Sequence, residues 1–142
     1  MDLHIDDFYQ DAAQGLVSLY QAFPRKITLY LDELVGVLPT DEVGLPHPRQ
    51  RQCLSTLLWL ASEGYIRYSH TVGYDALDQA ELTEKAFIRL SSTQHPFNSH
   101  LSQLPPSVFR SRGSLVQQIR QHVQEQSSED TIHVMRYFFS SE

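Results

Sequence analysis

The sequence predicts a mainly helical protein with a small β hairpin in its middle and a helical extension at its C-terminus. Three observations lead to this fold class. Apolar residues recur at steps of three or four over residues 2–23, which is helical spacing. Gly64 follows a second such stretch, and residues that alternate as in a strand come after it. Two more amphipathic stretches close the chain. We therefore expect one domain over residues 1–92, and a linker with the extension over residues 93–142.

The first helix is predicted over residues 2–23, where Pro24 ends it. The segment ITLYL at residues 27–31 is short, β-branched and aromatic, and it predicts a strand. Asp32 can act as the N-cap of a short helix, DELVGVL, which Pro39 closes. The segment TDEVGLPHP that follows is rich in proline and glycine, and it indicates a loop.

A third helix is predicted over residues 48–63, because apolar residues from Cys53 to Ala61 share one face and Gly64 occupies a C-cap position. The segment YIRYSHTV at residues 65–72 alternates like a half-buried strand. VGYDALD then turns the chain and QAELT, residues 79–83, returns it. Thr83 can cap the next helix, EKAFIRLSS. The order is therefore helix, strand, helix, helix, strand, strand, helix.

That order resembles the winged helix-turn-helix superfamily, most of all its bacterial regulators of the MarR and PadR families. The segment LTEKA at residues 82–86 looks like the L-T-x-K-G opening of the helix after the wing, with Ala86 in place of the glycine. The resemblance covers about residues 1–92, and it implies a winged helix-turn-helix domain with a small β wing. The local signature before that segment consists of Leu57, Leu60, Glu63, Gly64, Tyr65, Ile66 and Arg67.

In regulators of this shape the third helix enters the major groove and the wing reaches flanking phosphates. The resemblance therefore implies a transcription regulator that binds double-stranded DNA. Arginine can bond a guanine edge, glutamine an adenine edge, and serine or threonine a phosphate. The same residue types also suit the solvated face of an ordinary amphipathic helix. The candidate DNA-binding residues are Arg49, Arg51, Gln52, Ser55, Thr56 and Arg67.

The charge distribution argues against high affinity for DNA. The net charge of -6 arises in residues 1–45, which hold eight acids and two cations, whereas the rest of the chain is balanced. The predicted wing carries Asp75, Asp78 and Glu81, which would repel phosphates. One alternative is therefore an acidic winged helix that acts as a protein-protein interaction module, or as a subunit of a larger assembly, without binding DNA. Another alternative is a small-molecule sensor with a pocket between the winged helix and the extension.

Aromatic residues support the interaction alternative. Trp59, Tyr65, Tyr68 and Tyr74 lie close together in sequence, and protein interfaces are enriched in such side chains. The structural alternative is that Trp59 packs beneath the wing against Tyr68.

The extension is predicted to contain a loop over residues 95–111 and two helices, which start near Ser114 and Ser128. The β-branched and aromatic content of residues 131–139 also fits a strand. An apolar stripe on these helices packs back on the first helix or pairs across the axis of a homodimer, and by resemblance we favour the homodimer. The stripe consists of Leu115, Ile119, Val123, Ile132, Met135 and Phe138.

No motif indicates catalysis or a bound cofactor, because the chain lacks a glycine-rich phosphate loop, G-x-S-x-G and H-E-x-x-H. The seven histidines lack metal-ligand spacing, and the single Cys53 excludes an internal disulfide. We expect neither an enzyme nor a metal protein. No apolar run approaches the ~20 residues that span a bilayer, and the N-terminus lacks a signal core. The expected location is therefore the cytoplasm.

Overall fold

The computed structural model describes residues 3–140 and is mainly helical, with one small antiparallel sheet. This confirms the coarse fold class that the sequence predicts. The first part of the chain forms α1 (Leu3–Ala22), β1 (Ile27–Tyr30), α2 (Asp32–Val35), α3 (Pro48–Ser62), β2 (Ile66–Arg67), β3 (His70–Val72), β4 (Ala76–Leu82) and α4 (Glu84–Ser91). The second part forms a 3-10 helix (Pro96–Leu101), α5 (Pro106–Arg112), α6 (Leu115–Gln124) and α7 (Ser128–Ser140).

The sheet is built around β4. Strand β1 pairs with one edge of β4, and β2 and β3 pair in succession with the other edge, all antiparallel. Strands β2 and β3 are two parts of the single strand that the alternation predicts. They stay joined along β4, because the Ser69 amide donates to the Asp78 carbonyl at 2.9 Å. The Asp75 amide closes the turn by donating to the Val72 carbonyl at 2.9 Å. We call residues 73–75 the hairpin tip.

Strand β4 carries a bulge at Gln79, where φ is 52°. Ile27 of β1 faces Ala80 and Leu29 faces Leu77, so β4 has one residue more than β1 over this interval. The extra residue changes the alternation of side chains between the two faces of the sheet. Leu77 and Ala80 are therefore both fully buried, although residues three apart in a regular strand point to opposite faces. The strand predicted over residues 79–83 is therefore too short, since β4 already begins at Ala76.

The helices on either side of the hairpin begin as predicted. Helix α3 starts at Pro48 and is followed by Gly64, which has the left-handed φ of 81° typical of a C-terminal glycine. Helix α4 is capped by Thr83, whose Oγ1 accepts from the Ala86 amide at 3.3 Å. The local capping signals therefore place both helices correctly.

Helix α2 is shorter than the predicted DELVGVL. Gly36 has a φ of 79°, and its amide donates to the Asp32 carbonyl, which ends the helix. Asp32 lies inside the helix rather than at its N-cap, which is Leu31. A loop over residues 36–47, which we call the α2–α3 loop, then leads to α3.

The predicted loop over residues 95–111 instead contains the 3-10 helix and α5. Pro96 and Pro106 lie in the first turn of these helices, where no amide donor is needed. His95 caps the 3-10 helix, because its Nδ1 accepts from the Phe97 amide at 3.2 Å. Its Nε2 donates to the Gly113 carbonyl at 2.6 Å, which ties the segment to the start of α6. Pro96 and Pro106 therefore begin helices within a segment that the sequence predicts as a loop.

One hydrophobic core runs through the chain, with α1 at its centre. Helix α1 packs against α3, α6, α7 and the sheet. The approach of α1 to α3 is close, since a Cβ on Gly15 would lie 2.9 Å from Leu57 Cδ2. The C-terminal extension therefore shares its core with residues 1–92.

The stripe that was expected to form a dimer interface lies largely inside this core. Helices α6 and α7 pack against α1, so packing back on the first helix is the arrangement found within one chain. Val123 and Ile132 are half-buried. The other four residues are corrected from interface to core, because the chain itself covers them: Leu115, Ile119, Met135 and Phe138. Helix α7 also shows that residues 131–139 are helical rather than a strand.

Trp59 belongs to an aromatic cluster that joins α1, α3 and α7 to the residue before β2. Its ring centroid lies 5.2 Å from that of Phe8 on α1 and 5.4 Å from that of Phe139 on α7. Tyr65, directly before β2, lies 6.4 Å from Trp59 and 5.4 Å from Phe139. The expected packing of Trp59 on Tyr68 is therefore replaced by contacts with α1 and α7, although 39% of Trp59 remains exposed.

Candidate functional site

The first candidate DNA-binding residue, Arg49, is held by the protein's own carboxylates. Its two terminal nitrogens donate to the two carboxylate oxygens of Asp11, each at 2.6 Å, and its Nε lies 3.5 Å from Asp7 Oδ2. The Asp11 side chain is fully buried, and that of Arg49 is 24% exposed. Two parallel charged hydrogen bonds form a strong and directional contact. Arg49 therefore joins α3 to α1.

Burial dominates the electrostatics around this pair. It raises the pKa of the Asp11 carboxyl, although Arg49 opposes the shift. The hydrogen bonds that the Arg49 guanidinium donates to Asp11 raise the pKa of Arg49 in turn. Cys53 is fully buried one turn further along α3, and burial raises the pKa of its thiol to about 12. Because the thiolate is the reactive form, Cys53 is an inert structural thiol.

Two further candidates on α3 also make contacts within the chain. Gln52 Nε2 donates to the His4 carbonyl at 3.0 Å and lies 2.7 Å from His4 Nδ1. Thr56 is only 4% exposed, and its Oγ1 donates to the Gln52 carbonyl at 3.2 Å. Arg51 and Ser55 are exposed. Of the five candidate residues on α3, two are therefore exposed.

Arg67, the candidate on the hairpin, faces an acid across the sheet. It pairs in register with Glu81 of β4, and its Nε lies 3.4 Å from Glu81 Oε1. The Arg67 side chain is 65% exposed, so this ion pair is weak. No lysine or arginine occurs between Arg67 and Lys85 in the sequence. The hairpin is therefore acidic, as its sequence predicts.

A cleft of about 610 Å³ lies between the hairpin tip and the α2–α3 loop, and we call it the tip cleft. Of the described residues that line it, none is a lysine or an arginine. Two carboxylates belong to the lining, and three further acids lie on the adjoining segments. The lining residues are Tyr30, Asp32, Val37, Leu38, Thr40, Gly44, Pro46, Gln50, Tyr74 and Asp75, and the neighbouring acids are Glu33, Asp41 and Glu42.

Exposed apolar side chains surround the tip cleft. Val37 is 87% exposed, and Tyr30 and Tyr74 are each about half exposed. Val43 and Leu45 on the α2–α3 loop add two more exposed apolar side chains. Single exposed apolar residues are ordinary, whereas contiguous apolar patches are uncommon on the surfaces of soluble monomers.

Hydrogen bonds hold both walls of the tip cleft. Asp41 Oδ1 accepts from the amides of Val43 and Leu45, at 3.0 and 2.8 Å, and so folds the α2–α3 loop on itself. Gln50 Nε2 donates to the Tyr74 carbonyl at 2.8 Å, which ties the start of α3 to the hairpin tip. The chain's own hydrogen bonds therefore fix the two walls of the tip cleft.

A second cavity, of about 300 Å³, lies between α4 and the extension, where a sensor would have its pocket. Two of the lining side chains, those of Arg89 and His95, form hydrogen bonds within the chain. Arg89 donates to the Tyr65 hydroxyl at 3.1 Å and to the Phe138 carbonyl at 3.3 Å. His95, also in the lining, donates to Gly113. Arg89 and His95, which could orient a ligand here, therefore already have partners within the chain.

Sequence reasoning missed both the partner of Arg49 and the tip cleft. A signal for the partner exists, because Asp7, Asp11 and Gly15 recur every four residues and therefore share the face of α1 that meets α3. The tip cleft joins the α2–α3 loop to a turn distant in sequence, and its signal is weaker. That signal is the apolar content of a loop rich in proline and glycine, which includes Val37 and Val43.

Within residues 3–140, no three His, Cys, Asp or Glu side chains are grouped to hold a metal ion. Of the helices in that range, none combines the length and hydrophobicity needed to traverse a bilayer. Comparisons with models of protein families, with curated proteins and with solved structures gave no significant match.

Proposed function

We propose that the first part of this chain is a winged helix that serves as a protein-protein interaction module. The order of elements supports this fold, because three helices and β1 precede a hairpin and β1 adds to the outer edge of β4. One observation carries the function. The carboxylates of the chain bind Arg49 and Arg67, whereas the tip cleft offers apolar side chains and acids without a cation among its described lining.

The energetics of Arg49 favour this proposal over DNA reading. For Arg49 to bond a base, it would have to leave Asp11, which would then be buried without a counter-charge. Breaking a buried ion pair in this way costs about 3–5 kcal/mol. A bidentate contact with the correct base contributes only about 1–3 kcal/mol of discrimination. Arg49 therefore stabilises the fold and does not contact a ligand.

The partner that fits the tip cleft is a basic segment of another protein, with an aliphatic or aromatic residue among its lysines or arginines. The aliphatic or aromatic residue of that segment, which we call the apolar anchor, would pack against Tyr30, Tyr74 and Val37. The carboxylates of Asp32 and Asp75 would attract the cations and speed their approach. Charge complementarity and the grouped apolar side chains together select this class of partner.

A selection from a random peptide library, displayed on phage and panned on the intact protein, tests the proposal. We expect the bound peptides to combine at least two lysines or arginines with an apolar anchor. We also expect them to lose binding to Tyr74→Ala, whose exposed side chain does not support the core. Peptides without cations, or peptides that bind Tyr74→Ala equally well, would contradict the proposal.

Binding of double-stranded DNA in transcription regulation is the second candidate. The exposure of Arg51 and Ser55 on α3 favours it. A titration with random duplex DNA at increasing salt concentration separates the two candidates. Binding that weakens steeply with salt and is lost in Arg51→Ala would favour DNA. Absence of DNA binding at low salt would exclude this second candidate and favour the protein-protein interaction module.

Assembly and location are proposals as well. A homodimer stays a prediction, and it requires a surface other than the four buried stripe residues. Light scattering after gel filtration measures the mass directly, for comparison with the 16.4 kDa of one chain. The cytoplasm is the proposed location, because the single Cys53 is unpaired and buried, as suits a reducing compartment.

A further inference from the structure

We infer that a groove on the C-terminal extension binds a compact anion that carries phosphate. The groove lies between the 3-10 helix and α6, has a volume of about 300 Å³, and does not overlap the tip cleft. We call it the arginine groove. It is lined by His100, Leu101, Arg112, Gln117, Gln118, Arg120, Gln121 and Gln124.

The charge of the surrounding segment is the first argument. Residues 85–124 contain five lysines and arginines and no aspartate or glutamate, in a protein whose net charge is -6. Three of the five cations, Arg110, Arg112 and Arg120, lie on α5 and α6, and all three are exposed. A concave surface lined by charges of one sign concentrates ions of the opposite sign. Residues 85–124 are therefore the part of the chain whose charge attracts anions.

The availability of the arginines is the second argument. Arg112 and Arg120 are exposed, and within residues 3–140 neither forms an ion pair with a carboxylate. Arg49 and Arg67, in contrast, have carboxylate partners in the chain. A free guanidinium offers a planar fork of donors that matches the oxygens of a phosphate. The arginine groove brings two such forks to one site.

The remaining lining fits the rest of a phosphorylated molecule. The amides of Gln117 and Gln121 can donate to or accept from hydroxyl or ring groups, and Leu101 provides an apolar contact. Glu125 accepts from Gln121 Nε2 at 3.0 Å, so one carboxylate borders the end of the groove at the C-terminus of α6. The phosphate is therefore placed between Arg112 and Arg120, away from Glu125. A volume of about 300 Å³ is at the small end of ligand sites, which suits a molecule of nucleotide size.

Calorimetric titration of the full-length protein at low salt concentration tests this inference. The probes are ADP, inorganic pyrophosphate and a single-stranded oligothymidylate of about 12 nucleotides. We expect saturable binding of ADP and pyrophosphate, weakened about tenfold by Arg112→Gln and by Arg120→Gln. Arg110→Gln is the matched control, because it removes one exposed arginine from α5 but does not line the groove.

The outcomes separate the sources of the phosphate. If ADP and pyrophosphate bind and the oligonucleotide binds no more tightly, the ligand is a free phosphorylated molecule. If the oligonucleotide binds much more tightly through the same two arginines, the phosphate belongs to a nucleic acid backbone, and the inference of a compact ligand is overturned. Absence of saturable binding to all three probes would overturn the inference. An equal loss of affinity in Arg110→Gln would also overturn it, because binding would then follow net charge alone.

Discussion

Arg49 and Asp11 form a bidentate ion pair, with both nitrogen-oxygen distances at 2.6 Å, between α3 and the core face of α1. The position that the resemblance assigns to DNA reading is therefore occupied by a residue that holds two helices together. Asp7 adds a second carboxylate at 3.5 Å. Arg51, two residues further on, has the exposure that a ligand contact requires.

Replacing Arg49 with alanine should lower the free energy of unfolding by about 3–5 kcal/mol, because Asp11 stays buried without its counter-charge. Arg51→Ala is the matched control, and it should change the free energy of unfolding by less than about 0.5 kcal/mol. Urea denaturation followed by circular dichroism measures both variants. Equal stability of the two variants would mean that the ion pair contributes little and that Arg49 is available for a ligand.

Cys53 should resist thiol reagents in the folded protein. Burial raises the pKa of its thiol from 9.0 to about 12, so the folded protein keeps the thiol protonated at pH values where the unfolded chain ionises it. This contribution to stability is present below pH 9.0 and is lost as the pH rises towards about 12. Cys53→Ala should lose stability less steeply than the wild type over that interval. Rapid labelling of Cys53 at pH 8 without denaturant would contradict this prediction.

His95 should make the fold sensitive to acid. Burial lowers the pKa of its imidazole, which donates from Nε2 to Gly113 and accepts at Nδ1 from Phe97. Protonation at Nδ1 removes that acceptor. Because the folded pKa is lowered, the stabilisation is present above the ordinary pKa of about 6.5 and is lost as the pH falls through the folded value. NMR titration of the His95 ring protons measures this pKa, and a value above 6.5 would exclude the mechanism.

Removing the extension should unfold the rest of the chain. A truncated protein that ends at Ser92 lacks α6 and α7, which pack against α1 in the shared core. We expect it to lose its cooperative thermal transition, whereas the full-length protein keeps one. A sharp transition in the truncated protein would show instead that residues 1–92 fold as an independent domain.

The sequence predicts those parts of the fold that local chemistry determines. Thr83 caps α4 and Gly64 follows α3, and both signals depend only on neighbouring residues. Contacts between distant segments are harder to predict. The bulge at Gln79 depends on the pairing of β4 with β1, and the residues around Gln79 carry no sequence pattern that predicts it. The prolines at positions 96 and 106 show the same limit, since a proline suits both a loop and the start of a helix.

The candidate site shows where local patterns mislead. The sequence does not distinguish a polar helix residue that contacts solvent from one that contacts DNA or another helix. Gln52 and Arg49 face α1 because Gly15 lets α1 and α3 approach closely, and that approach is a tertiary property. The acidic character of the hairpin, in contrast, could be read directly from Asp75, Asp78 and Glu81. The charge of a segment is therefore easier to predict from this sequence than the contacts of a helix face.

The affinity of a selected basic peptide for charge variants of the tip cleft tests the central claim most directly. The double variant Asp32→Asn with Asp75→Asn removes two carboxylates from the lining while it keeps the shape of both side chains. Glu63→Gln with Glu129→Gln is the control, because it removes two exposed carboxylates that do not line the cleft. Fluorescence anisotropy should show at least about a tenfold loss of affinity in the first variant and little change in the second. Equal affinity of both variants and the wild type would contradict the claim that the tip cleft binds a basic partner.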